Sequence, residues 1–126
     1  MSTIVVIEDN PQSARMAEKL LKRAGHTVVI AEDGETGMSA VFTSNPDLLL
    51  VDLGLPDIDG QTVVALLRQQ ADFQSLPVIA FTAWPEATAM EMAEAYGCNG
   101  VITKPIDTRN FATEVGAYLQ PASETE

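Results

Sequence analysis

The chain has 126 residues, a length that suits one domain with room for a proper core. Apolar residues make up 46% of it, enough for a compact fold. A formal net charge of -11, with only seven Lys and Arg, argues against a nucleic-acid binder, because phosphate contacts need clustered cations. Four of those cations (Arg15, Lys19, Lys22, Arg23) fall in one segment and read as a solvated helix face. Cys98 is alone, so no internal disulfide forms and a reducing compartment is expected. No basic leader followed by a long apolar stretch opens the chain, and no run approaches membrane-spanning length. A cytoplasmic location without membrane insertion is the expectation.

The elements alternate strand and helix. Thr3–Ile7 is β-branched and continuous, as a strand buried on both faces should be. Asn10-Pro11 supplies a helix cap and a proline at the first helical position. Ala14, Ala17, Leu20, Leu21 and Ala24 follow at helical spacing, and Gly25 stops the helix. Thr27–Ala31 is the second strand. Asp33-Gly34 opens a helix to about Ser44, with Met38, Val41 and Phe42 toward the core. Asn45-Pro46 ends it, and Asp47–Val51 is the most hydrophobic strand.

The loop Gly54-Leu55-Pro56-Asp57-Ile58-Asp59-Gly60 is rich in turn formers and leads to a helix over Gln61–Gln70. Pro77–Phe81 is the fourth strand, and Pro85 starts a helix ending near Tyr96-Gly97. Gly100–Thr103 is a short fifth strand. Thr108 is expected to cap a last helix carrying Phe111, Val115 and Leu119 on one face. Residues 1–120 are read as one domain, and Pro121–Glu126 as a flexible acidic tail. Such alternation implies a parallel sheet covered on both faces, joined by right-handed crossovers. No repeat, linker or effector module is evident.

Reactive groups collect where the strands end. Glu8-Asp9 follows the first strand, Asp52 the third, Thr82 the fourth, and Lys104-Pro105 the fifth. Taken singly, each has an ordinary explanation: a turn aspartate, a loop carboxylate, a strand threonine, an exposed lysine. In an open parallel sheet, however, the carboxyl ends of the strands form the crevice where ligands bind. If the first and third strands are neighbours, Glu8, Asp9 and Asp52 converge, and their mutual repulsion calls for a cation. A hard divalent ion with oxygen ligands answers that need, and Mg²⁺ suits a few carboxylates plus phosphate oxygens. The Lys104-Pro105 bond is of the kind that adopts cis at modest cost, which would turn the ammonium toward the carboxylates.

Together these residues resemble the receiver domain of two-component response regulators. The motifs that carry the resemblance are Glu8-Asp9-Asn10, Asp52 followed by Leu55 to Gly60, Thr82-Ala83 and Lys104-Pro105, over Thr3 to Leu119. The resemblance implies a flavodoxin-like, doubly wound five-stranded parallel sheet of order 2-1-3-4-5, helices on both faces, and the site at the switch point between strands one and three. It implies that Asp52 is the phosphoacceptor, taking its phosphoryl group from a histidine kinase or histidine phosphotransfer protein. Asp9 and Asp52 would bind Mg²⁺ directly, Glu8 through water, and Gly54 through its carbonyl. Thr82 and Lys104 would hold phosphoryl oxygens. A downstream protein partner would dock on the fourth helix, fifth strand and fifth helix, around Met90–Tyr96 and Arg109–Tyr118. Such a protein is a switch more than an enzyme: it catalyses only its own phosphorylation and slow dephosphorylation.

Three positions depart from the family pattern. Val101 stands three before Lys104, where receivers often carry an aromatic; Trp84 stands two after Thr82, where a smaller or polar residue is commoner; and Gly54 offers no side chain. An aspartyl-nucleophile phosphatase would need a second acid at position 54. A flavodoxin-like flavin or nucleotide binder would need a glycine-rich loop after the first strand, where Glu8-Asp9-Asn10-Pro11 stands instead. The remaining alternative is an adaptor that uses the fold for binding without phosphorylation. His26 and Cys98 have no partners at ligand spacing.

Overall fold

The computed structural model describes residues 2–119. The proposed acidic tail, Pro121–Glu126, lies outside the described residues. In chain order the elements are β1 Thr3–Ile7, α1 Pro11–Arg23, β2 Thr27–Ala31, α2 Gly34–Ser44, β3 Leu48–Val51, α3 Gly60–Arg68, a 3-10 turn Ala71–Phe73, β4 Val78–Thr82, α4 Glu86–Tyr96, β5 Gly100–Thr103 and α5 Phe111–Gly116. The five strands form one parallel sheet in the order β2-β1-β3-β4-β5. This is the doubly wound architecture expected, and it puts β1 beside β3 with Ile7 opposite Val51.

Alternation along each strand divides the core in two. Val5, Ile7, Leu49, Val51 and Val78 face α2 and α3, while Ile4, Val6, Leu48, Leu50, Ile79 and Phe81 face α1 and α5. These strand side chains are all but inaccessible to solvent. Removing each from water contributes about 1.5–3 kcal/mol before chain entropy is counted. The central strands therefore form the rigid floor from which the strand-end groups project.

Local chemistry explains the helix starts. Asn10 accepts hydrogen bonds from the Gln12 and Ser13 N–H groups at 2.9 and 3.1 Å, with Pro11 behind it, as expected for α1. Asp33 caps α2 by accepting from Thr36 N–H at 2.8 Å. Gly25 and Gly97 both adopt left-handed backbone (φ 98° and 96°) where α1 and α4 end, the conformation glycine takes without steric cost.

Several expectations need correction. Phe42 points outward, 50% exposed, and meets Phe73 edge-on at 5.4 Å instead of entering the core. Val41 takes the buried position beside it. Thr108 does not cap α5: Asp107 organises that turn, accepting from Arg109 N–H through its side chain and from Phe111 N–H through its carbonyl, and the helix begins at Phe111. The α3 helix stops at Arg68, two residues short of Gln70, where Gln70 turns to extended backbone (φ -93°, ψ 129°), and beside that turn sits the Arg68 guanidinium. It donates to the Phe73 and Leu76 carbonyls, each at 2.7 Å, and to Gly97 O and Asn99 Oδ1, tying α3 to the end of α4. No helix among the described residues is long and apolar enough to cross a membrane.

Candidate functional site

The carboxyl ends of β1, β3, β4 and β5 deliver every strand-end group singled out in the sequence to one crevice. Each of Glu8, Asp9 and Asp52 brings a carboxylate oxygen to within 4.8 Å of the others. Glu8 and Asp52 are buried, whereas Asp9 is exposed at the rim. Backbone pairing fixes the arrangement: Asp52 N–H donates to the Ile7 carbonyl at 2.9 Å, and Glu8 N–H to the Ala31 carbonyl at 2.9 Å.

Lys104 lies across the carboxylates. Its Nζ is 2.5 Å from Glu8 Oε1 and 3.3 Å from Asp52 Oδ2, and it stands over the Phe81 ring at 5.0 Å. Glu8 Oε1 is buried, and the Lys104 ammonium is the charge that faces it. Lys104-Pro105 is cis, as the sequence suggested. The other Glu8 oxygen accepts from Asn10 N–H at 3.0 Å. Burial, the largest influence, and Asp52 push the Glu8 carboxyl up, the Lys104 ammonium and the Asn10 N–H pull it down, and the balance stands raised to about 7.

Thr82 ends β4, buried, with its hydroxyl accepting from Trp84 N–H at 3.0 Å. The Lys104 N–H donates to the Thr82 carbonyl at 2.8 Å, so β5 holds lysine and threonine side by side. Gly54 enters through its N–H, which donates to Asp52 Oδ1 at 3.0 Å. A side chain at position 54 would lie 3.9 Å from that same oxygen, in ordinary contact and at the open side of the site.

These donors suit a hard divalent cation: three converging carboxylates, two of them buried, and an ammonium to balance them. The full sequence-derived set (Glu8, Asp9, Asp52, Gly54, Thr82, Lys104) therefore meets in one place. Phe81, under the ammonium, and Asp57, described below, belong to the surroundings that the sequence did not disclose. Their side chains are common types in ordinary places, and only the fold brings them here.

The family model for the response regulator receiver domain matches residues 4–116. The chain belongs to that family. Receivers are phosphoacceptor switches and not enzymes of the usual kind. The polar-differentiation response regulator DivK of Brucella ovis is 28% identical over 120 residues, covering 95% of this chain and 98% of DivK. The chemotaxis response regulator CheY4 of Vibrio cholerae superposes with a TM-score of 0.89 at 21% identity, over 94% of this chain and 99% of CheY4. The response regulator TrrA of Thermotoga maritima, in a complex with Mg²⁺ and beryllofluoride, superposes at 0.82 with 24% identity, over 94% of this chain and all of TrrA (100%). Both superpositions bear on the fold. The sequence expectation of a receiver fold is borne out.

Two of the three departures have a structural counterpart. Val101 is only half-buried and borders an open cavity between α4 and β5. An aromatic is nevertheless present nearby: the Tyr118 ring, arriving from beyond α5, lies directly on Gly100, where any Cβ would collide with it. Trp84 is half-buried beside Thr82, joined to it through the backbone hydrogen bond already described.

Proposed function

We propose that this chain is a stand-alone, cytoplasmic receiver that accepts a phosphoryl group on Asp52 from a histidine kinase or histidine phosphotransfer protein. The observation that carries this reading is the meeting of Glu8, Asp9 and Asp52 with the Lys104 ammonium set between Glu8 and Asp52. An Asp52 carboxylate oxygen forms the new O–P bond as the donor's N–P bond breaks, leaving an acyl phosphate and a free imidazole. Asp9 and Asp52 would hold Mg²⁺, with Glu8 acting through water and the Gly54 carbonyl completing the protein ligands. Bound there, Mg²⁺ would supply positive charge against the transferring group. Lys104 and Thr82 take phosphoryl oxygens, Lys104 exchanging part of its pairing with the carboxylates for the new anion. The bound ions of TrrA support the metal assignment by analogy.

The signal leaves through altered protein contacts. The face formed by α4, β5 and α5 is the proposed partner surface, with Met90 exposed and a cavity of about 610 Å³ bordered by Glu86, Met90, Val101 and Tyr118. The route to it is short. Thr82 pairs with Thr103 across β4 and β5, two residues from Val101. Mg²⁺ with beryllofluoride, an analogue of the phosphorylated carboxylate, tests the reading. Amide resonances around Asp52, Thr82 and the α4–β5 face should shift together, and Asp52→Asn should abolish the shifts. A wild-type spectrum unchanged by the analogue would instead favour an adaptor that works without phosphorylation.

A further inference from the structure

The loop that follows the phosphoacceptor is held at its far end by a helix from another part of the chain. At its neck, Gly60 N–H donates to the Leu53 carbonyl at 3.2 Å, and Gly60 lies so close to the Asp52 carbonyl that no Cβ fits. Between those ends, residues 53–59 project as a compact loop, with Leu55 buried in the core. At its tip, Asp57 accepts hydrogen bonds from Gly34 N–H at 2.8 Å and Glu35 N–H at 3.1 Å.

A helix leaves its first N–H groups without partners inside the helix. In α2 those of Gly34, Glu35 and Thr36 are taken by Asp57 Oδ1, Asp57 Oδ2 and Asp33 Oδ1 respectively. Asp33 is the local cap; Asp57 is a second cap donated from 22 to 23 residues away. The approach is tight. A Cβ on Gly34 would come within 3.0 Å of Ile58 Cβ, 3.1 Å of Val63 Cγ2 and 3.3 Å of Asp57 Oδ1. These N–H donors hold the Asp57 carboxyl below its ordinary range, so the latch is ionised at neutral pH.

We propose that Asp57 is a positioning residue for the metal site: by fastening the tip of the 53–59 loop to α2, it keeps Gly54 beside Asp52 and raises the affinity for Mg²⁺. This rests on the reading that Gly54 and Asp52 serve the metal. The functional consequence is a mechanical link between the phosphoacceptor loop and the start of α2.

Calorimetric titration with Mg²⁺, paired with amide hydrogen exchange on the metal-free protein, tests it. Loss of a helix-capping carboxylate is typically a factor of about five in an equilibrium, so Asp57→Ala should bind Mg²⁺ about fivefold more weakly. The amides of residues 53–59 should exchange faster without metal. Asp57→Asn, whose carbonyl still accepts from Gly34, should recover most of both losses. Asp33→Ala removes the other cap of the same helix and controls for destabilisation alone: it should lower the melting temperature but leave Mg²⁺ affinity and loop exchange unchanged. Should Asp57→Ala not fold, Gly34→Ala keeps the carboxylate but crowds the loop, and should weaken Mg²⁺ binding in the same direction. Equal effects of Asp57→Ala and Asp33→Ala on Mg²⁺ binding, or none from Asp57→Ala in either measurement, would overturn the proposal. A wild-type protein that binds no Mg²⁺ would fail the metal reading itself, and the exchange data would still report on the latch.

Discussion

Replacing Lys104 with methionine removes the cation but keeps an unbranched side chain of similar length over Phe81. In the metal-free protein this strands Glu8, whose side chain is wholly buried, and Asp52, both of which face the ammonium. Breaking a buried ion pair by removing one partner costs about 3–5 kcal/mol. Because the Lys104 side chain is 16% exposed, the lower end applies: about 3 kcal/mol, or roughly 10 °C in melting temperature for a domain of this size. The cost must depend on pH. Folded Glu8 titrates near 7 against 4.5 for the free group, so it is largely neutral at about pH 5.5 and charged at about pH 8. Loss of the ammonium raises its folded pKa further, so the mutant loses more stability than the wild type as pH rises. Urea unfolding in EDTA should show the full cost at about pH 8 and about half of it at about pH 5.5, where only the Asp52 pairing is lost. An equal cost at both values would refute the pairing of Lys104 with Glu8.

The wild-type protein in EDTA should itself lose stability as pH rises from about 4.5 to about 7, because a carboxyl whose folded pKa is raised stabilises only while protonated. Mg²⁺ at ~100 times its Kd should restore about 2.7 kcal/mol at neutral pH, read as a shift in the unfolding midpoint. Gly60→Ala should cost about 2–3 kcal/mol, since its Cβ meets the immovable Asp52 carbonyl; a urea midpoint unchanged from wild type would contradict that packing. Trp84→Ala should shorten the phosphorylated half-life about threefold, ~0.6 kcal/mol of barrier, by opening the approach of water past Thr82. Timed phosphate-affinity gels would show it, and an unchanged half-life would mean that the indole only packs.

The sheet was legible because buried parallel strands write themselves as unbroken apolar runs. Thr3–Ile7, Thr27–Ala31 and Gly100–Thr103 agree to the residue. Strand ends are legible to within a residue (β4 runs Val78–Thr82 where Pro77–Phe81 is expected), so Asp52, Thr82 and Lys104 are placed at one crevice from the sequence. Most of what failed depends on a partner distant in sequence. Phe42 sits at helical spacing for the core, yet Val41 takes the buried position and Phe42 meets the buried Phe73 from outside. Thr108 is a good cap by type, but the neighbouring Asp107 claims the turn. Asp57 reads as one more turn residue, and nothing local says that its donors lie 22 and 23 residues earlier. Tyr118 likewise carries no mark of its contact with Gly100.

Intact mass after incubation with acetyl phosphate and Mg²⁺ tests the central claim most directly. The account predicts a gain of one phosphoryl group per chain, dependent on the metal and absent in Asp52→Asn. An equal gain in that mutant, or none in the wild type, would contradict the assignment of Asp52 as the acceptor.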